Sequence, residues 1–233
     1  MTSTPSPPAA AAAEPVERAR LTRRRVLEAA LAYVDEHGLD ALTMRKLGAA
    51  LGVEGTALYN HVQGKDGLLD GLVELLWSEV HAATDTTGSW QDVLRSSAGA
   101  TREVVHRHPR IAPLLCSRSV IPLEALQLFA ACLAPMEEAG FDREHAGRAL
   151  CAMTGHAFGY AVMEQCARGP GANGDAPESE SQRIRRVAQM LPRDISDDLF
   201  EVGLAICCCD TSAQFEAGVD LIIAGLHPPR RRP

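Results

Sequence analysis

At 233 residues the chain is long enough to bury more than one core, and its hydrophobic content of 46% sits in long Ala/Leu-rich segments. A formal net charge of −7 argues against nonspecific coating of nucleic acid, and no stretch approaches the roughly 18 uninterrupted apolar residues of a membrane span. Seven cysteines (116, 132, 151, 166, 207, 208, 209) show neither a CxxC pair nor finger spacing, which excludes a zinc module.

Gly and Pro fall at breaks and no run alternates at period two, so the expected fold class is all-α. In a cytosolic helical protein the cysteines read as small buried hydrophobes, and nothing marks a depressed thiol pKa. Cys207-Cys208-Cys209 cannot chelate one metal from a helix, where neighbours point about 100° apart. The N-terminus lacks the apolar core of a signal peptide, which gives a cytoplasmic expectation.

Residues 1–17, with Pro5, Pro7, Pro8 and an alanine run, read as a disordered arm. Arg18, Arg20, Arg23, Arg24 and Arg25 follow, while the acidic surplus lies after residue 70. Such a basic cluster either reaches DNA or is a solvated tail, and both readings stay open. A helix is expected from Thr22 to His37, ending at Gly38, with Val26, Leu27, Ala30, Leu31 and Val34 as its buried stripe.

Thr43 to Lys65 reads as two short helices around a tight turn. Thr43 caps the first, in which Met44, Leu47 and Leu51 share a face. Gly48 permits close approach of a neighbouring helix, and Gly52 suits the positive φ that ends the helix. Val53, Ala57, Leu58 and Val62 turn the second helix inward, leaving Thr56, Tyr59, Asn60 and His61 outside. Short polar groups and an aromatic hydroxyl suit a major groove.

Leu51-Gly52-Val53, Leu58-Tyr59, His61-Val62, Lys65 and Leu68-Leu69, in this spacing, resemble the helix-turn-helix signature of the tetracycline-repressor (TetR) family of bacterial transcription regulators. Trp90, Arg107-His108-Pro109, Phe215-Glu216, Gly218, Asp220-Leu221 and Gly225-Leu226 resemble that family's C-terminal ligand domain. The resemblance implies a helix-turn-helix head at 18–64, a connecting helix at 65–83, a ligand-binding and dimerisation body at 84–227, and leaves a basic tail at 228–233. It implies a homodimer on a double-stranded DNA operator, most often a repressor, answering to an unidentified small-molecule effector, with no cofactor, no metal and no membrane. Arg23, Arg24, Tyr59, His61 and Lys65 are the phosphate-side candidates, and Arg45, Thr56 and Asn60 the base-edge candidates, with Thr43 beside them. Gly55 has no side chain, so some base readout of relatives should be missing here.

Downstream, helices are expected from Lys65 to His81, Trp90 to His106 with Ser89 as cap, Ile111 to Ser117, and Pro122 to Gly140. Others follow from Asp142 to Arg168, then at Gln182–Leu191, Asp197–Cys209 and Ser212–Leu226, with a surface loop at Gly169–Glu180. By the family fold, the helices near 142–168 and 212–226 pair with their copies, and Gly147, Gly155, Gly159, Gly218 and Gly225 would allow close approach there. Effector candidates are His108, Phe129, Met153, His156, Tyr160 and Glu164. His156 and Glu164 resemble a segment that in tetracycline repressors helps hold drug and magnesium, but a second histidine expected after residue 110 is missing, with Pro113 roughly in its place. The alternatives for His156 are a metal-free pocket and a satisfied core histidine. Two other function classes stay open. One is a helical small-molecule-binding protein that has lost DNA affinity; the other is an enzyme, against which counts the lack of an activated nucleophile or acid/base pair.

Overall fold

The structure is a computed structural model that describes residues 20–118, 121–168, 179–192, 194–207 and 211–228. The 1–17 arm, positions 169–178 of the surface loop, Cys208, Cys209 and the basic tail from 229 lie outside the described residues. Every regular element among the described residues is helical.

Helix α1 (Arg23–His37) opens on Thr22, whose hydroxyl accepts from the Arg25 N–H at 3.2 Å, and it buries Val26, Leu27, Ala30, Leu31 and Val34. After Gly38 a short 3-10 turn, Leu39–Ala41, leads to α2 (Met44–Leu51), capped in the same way by Thr43 at 3.2 Å from the Lys46 N–H. Gly52 takes a left-handed φ of 68° and closes α2, as the turn requires. Gly48 answers a steric demand: a Cβ there would lie 2.8 Å from the Gly55 nitrogen and 2.9 Å from the Val53 oxygen. The chain after the turn can therefore pack directly on the α2 backbone.

That following element is a 3-10 helix, Gly55–Asn60, rather than a short α-helix. Gly55 is held within 3.1–3.3 Å of α2 backbone atoms, as measured to the Cβ it lacks, and Gly64 breaks the chain with a φ of 69°. Few residues remain between these fixed points, and Thr, Tyr and Asn favour α geometry weakly, so i→i+3 bonding such as His61 N–H to Leu58 O at 2.9 Å prevails. Leu58 and Val62 are buried, as their positions require, while Val53 and Ala57 are half-buried.

Helix α3 (Gly64–Ala83) is apolar on two sides, burying Leu68, Leu72, Val73, Leu76 and Val80, and packs against α1, α4 (Trp90–Arg107) and α6 (Leu123–Glu138). One continuous core therefore runs from Val26 to Ile223. Ser89 and Asp92 form a reciprocal capping box at the start of α4. Between α4 and α6 the expected Ile111–Ser117 helix tightens to α5 (Leu114–Ser117), after turns through residues 108–113 that Pro109 and Pro113 hold out of a regular ladder. Pro122 precedes α6 as an extended cap residue instead of occupying its first turn.

Helix α7 (Arg143–Arg168) begins where Asp142 accepts from the His145 N–H at 2.8 Å, and packs on α4, α6 and α10 (Thr211–Gly225). Helices α8 (Glu180–Met190) and α9 (Asp197–Cys207) pack on one another. The cysteines do not behave alike. Cys132 is buried, and burial pushes its thiol pKa up, whereas Cys151 is exposed, contrary to the expectation that all are core residues.

Candidate nucleic-acid interface and ligand cavity

The caps and the tight turn put one set of side chains on the outside of the head. Thr43, Arg45, Lys46, Thr56, Tyr59, Asn60 and Lys65 are exposed, Tyr59 by 58%, and His61 is half-buried. Arg45, Lys46 and Lys65 form no ion pair among the described residues, so three full positive charges stand unneutralised in one small region of an acidic chain. The predicted Arg23 and Arg24 differ from them: Arg23 pairs with Glu74 at 2.8 Å, tying α1 to α3, and Arg24 pairs with Glu28 at 2.7 Å. Lys46, beside Arg45 in the first turn of α2, was not singled out from the sequence. Its exposed place next to a predicted contact was the available signal.

The head joins the body through a second charged cluster. Buried His108 has Nδ1 at 2.7 Å from Asp35 of α1 and Nε2 at 3.2 Å from Glu79 of α3, while Arg107 donates to the same Glu79 at 2.6 Å. Arg110 donates to the Glu36 carbonyl. Predicted as an effector residue, His108 instead lines the joint and borders neither cavity described below.

Within the body, two cavities flank Trp77. The larger, about 300 Å³, is lined by Trp77, Phe129, Leu133, Gly147, Leu150, Cys151 and Thr154. The smaller, about 130 Å³, is bordered by Trp77, Val80, Thr101, Leu115, Thr154, Gly155 and Phe158. Phe129 meets Trp77 edge-on, with ring centres 5.3 Å apart. Of the predicted effector residues only Phe129 borders these cavities; Met153 is wholly buried in the core.

The remaining candidates are satisfied by protein. His156 Nε2 lies 3.0 Å from the Phe215 carbonyl, its ring stacks on Phe215, and Tyr160 donates to Gln214 at 2.9 Å. Gly218 makes room for that imidazole, since a Cβ there would meet it at 2.2 Å. Glu164, 2% exposed, accepts from Arg102 at 2.9 and 2.6 Å and lies 2.8 Å from His106 Nε2. The Arg102 guanidinium in turn sits 4.7 Å from the centre of the Phe215 ring. A carboxylate this deeply buried requires such partners.

Residues 83–228 match the tetracyclin repressor-like C-terminal domain, and residues 26–72 match the bacterial regulatory proteins of the tetR family. The chain belongs to the TetR family of transcriptional regulators. The class C tetracycline repressor of Escherichia coli is 30% identical over 217 residues, spanning 91% of this chain and 93% of that protein. An HTH-type transcriptional regulator of Saccharopolyspora erythraea is 26% identical over 206 residues, or 88% and 84% of the two chains. Among solved structures, the TetR family protein ActR of Streptomyces coelicolor in complex with actinorhodin superposes with a TM-score of 0.70 at 25% identity, covering 89% of this chain and 97% of that one.

The magnesium-drug arrangement of tetracycline repressors does not fit this TetR-family chain. His156 and Glu164 spend their ligating atoms on Phe215, Arg102 and His106, and the described residues contain no cluster of three metal-ligating side chains. No helix among them is long and apolar enough to cross a membrane.

Proposed function

We propose that this TetR-family regulator is a cytoplasmic homodimeric repressor, released from a palindromic DNA operator when a small lipophilic effector occupies the cavity beside Trp77. In this reading residues 18–64 are the head, 65–83 the connection, and 84–227 the ligand and dimer body. Two Gly55–Asn60 elements enter successive major grooves about 34–36 Å apart. Arg45, Thr56 and Asn60 face base edges, while Tyr59, His61, Lys65, Lys46 and Thr43 hold phosphates. Arg23 and Arg24 reach the backbone from the start of α1.

One observation carries the reading: α3 runs unbroken from Lys65 beside the free cations to Trp77 in the cavity wall. A molecule that displaces Trp77 shifts the helix that sets the head. A tenfold loss of operator affinity needs only about 1.4 kcal/mol of preference for one head spacing. The dimer seam in this reading is the exposed face of α7 and α10, where Leu221 is 74% exposed. Leu221→Glu should give monomers in sedimentation; a persistent dimer would move the seam elsewhere.

The test is fluorescence anisotropy with DNA flanking the gene, over a salt series with random competitor. Tight, competitor-resistant binding that weakens steeply with salt is expected. Binding no tighter than to random DNA would leave a small-molecule-binding protein with a vestigial head.

A further inference from the structure

Resting on the reading that this cavity is the effector site, we propose that Trp77 partitions it into two chambers. The effector is then a neutral, planar, fused-ring aromatic with one hydrogen-bonding group, and it acts only by spanning both. Trp77 and Thr154 are the residues common to the two linings. The larger chamber reaches the surface beside exposed Cys151; the smaller lies behind Trp77, toward Val80, Leu115 and Phe158.

The lining sets the ligand's chemistry. No charged side chain borders either chamber, so an ion would be desolvated there without a partner. Trp77 and Phe129 at one end and Phe158 at the other offer flat faces and edges to a fused ring system. The Thr101 hydroxyl is already spent on the Ser97 carbonyl at 2.8 Å. Thr154 makes no hydrogen bond to a described residue, which leaves its hydroxyl to orient one polar group of the ligand.

Size sets the response. The larger chamber, at about 300 Å³, stands at the lower bound of pockets that hold drug-sized ligands. A single ring fits in it and leaves Trp77 in place. A longer ring system must enter the second chamber and displace the indole. Leu72, Val73, Leu76 and Val80 pack the same helix into the core, so that displacement moves α3 rather than dissipating locally.

The experiment uses the full chain with Trp90→Phe, which leaves Trp77 as the single tryptophan. The probes are phenol and 9-phenanthrol at neutral pH, followed by calorimetry, Trp77 emission and release of flanking DNA. Both probes are expected to bind, and only 9-phenanthrol is expected to shift Trp77 emission and release DNA at equal occupancy. Phe158→Trp, which fills the inner chamber, should weaken 9-phenanthrol at least roughly tenfold and phenol less than about threefold. Leu115→Phe makes the same test should that variant fail to fold. Equal weakening of both probes, equal emission changes, or no binding of either probe would overturn the proposal. Absence of DNA binding would sink the repressor reading alone, because calorimetry and Trp77 emission still report on the chambers.

Discussion

The head and the body of this regulator use polar side chains in opposite ways. At the head Arg45, Lys46 and Lys65 point outward with no described ion-pair partner, beside exposed Thr56, Tyr59 and Asn60. In the body Arg102, Glu164 and His106 point at one another, and His156 and Tyr160 bond to α10. Outward groups without protein partners wait for a ligand from outside. Inward groups that are satisfied hold helices together and leave the chambers around Trp77 apolar.

The contrast breaks most severely at Glu164. Glu164→Ala leaves Arg102 and His106 facing each other with no anion between, and should cost about 3–5 kcal/mol in urea unfolding at fixed protein concentration. The double change Arg102→Leu with Glu164→Leu should recover much of that loss, because apolar replacements remove the buried charge from both sides. A single variant as stable as the parent would mean that Glu164 faces ligand instead of anchoring helices.

The head breaks at a smaller cost. Gly48→Ala puts a methyl against Gly55 and Val53 backbone atoms at 2.8–2.9 Å. The expected loss is about 1–3 kcal/mol, even though alanine is otherwise the better helix former by about 1 kcal/mol. Thermal unfolding measures it, and a raised midpoint would show that the turn yields easily. On the outer face, Arg45→Ala should cost about 1–3 kcal/mol of operator binding, concentrated at one base pair per half-site. A loss spread evenly over sequences would move Arg45 to the phosphate contacts. Tyr59→Ala should weaken binding with helicity intact.

The same division governs what could be read from the chain. Thr22, Thr43, Ser89 and Gly52 act within three or four residues of themselves, so caps and turns were legible. Leu58 and Val62, inside, and Tyr59 and Asn60, outside, followed from helical spacing, although the geometry proved 3-10 because Gly55 and Gly64 pin both ends. The body's polar roles depend on partners far along the chain. Arg102 and Glu164 are 62 positions apart, and His108 and Asp35 are 73 apart. No local pattern reveals such pairs, so His108 and Glu164 read as candidate ligand contacts when they hold helices. Trp77 showed the converse: its spacing placed it on an apolar face, and only the packing of α6 and α7 around it leaves space beside it.

The finest test concerns the joint's far side, where α4 begins. Ser89 and Asp92 satisfy each other's helix-start donors, and Asp92 accepts from the Ser89 hydroxyl and from its N–H at 3.1 Å. Those two bonds, the hydroxyl first, hold the Asp92 carboxyl below its usual range. A depressed carboxylate stabilises the fold fully above its unfolded pKa, and the contribution disappears as pH falls through the folded value. Ser89→Ala should therefore cost about 1 kcal/mol near neutral pH by loss of the cap. Its gap from the parent should narrow as pH drops below about 4, where Asp92 protonates in both. Urea midpoints of the two proteins at several pH values measure that gap. A constant gap would assign the cost to the Ser89 hydroxyl accepting from the Asp92 N–H, with the carboxylate half of the box contributing nothing.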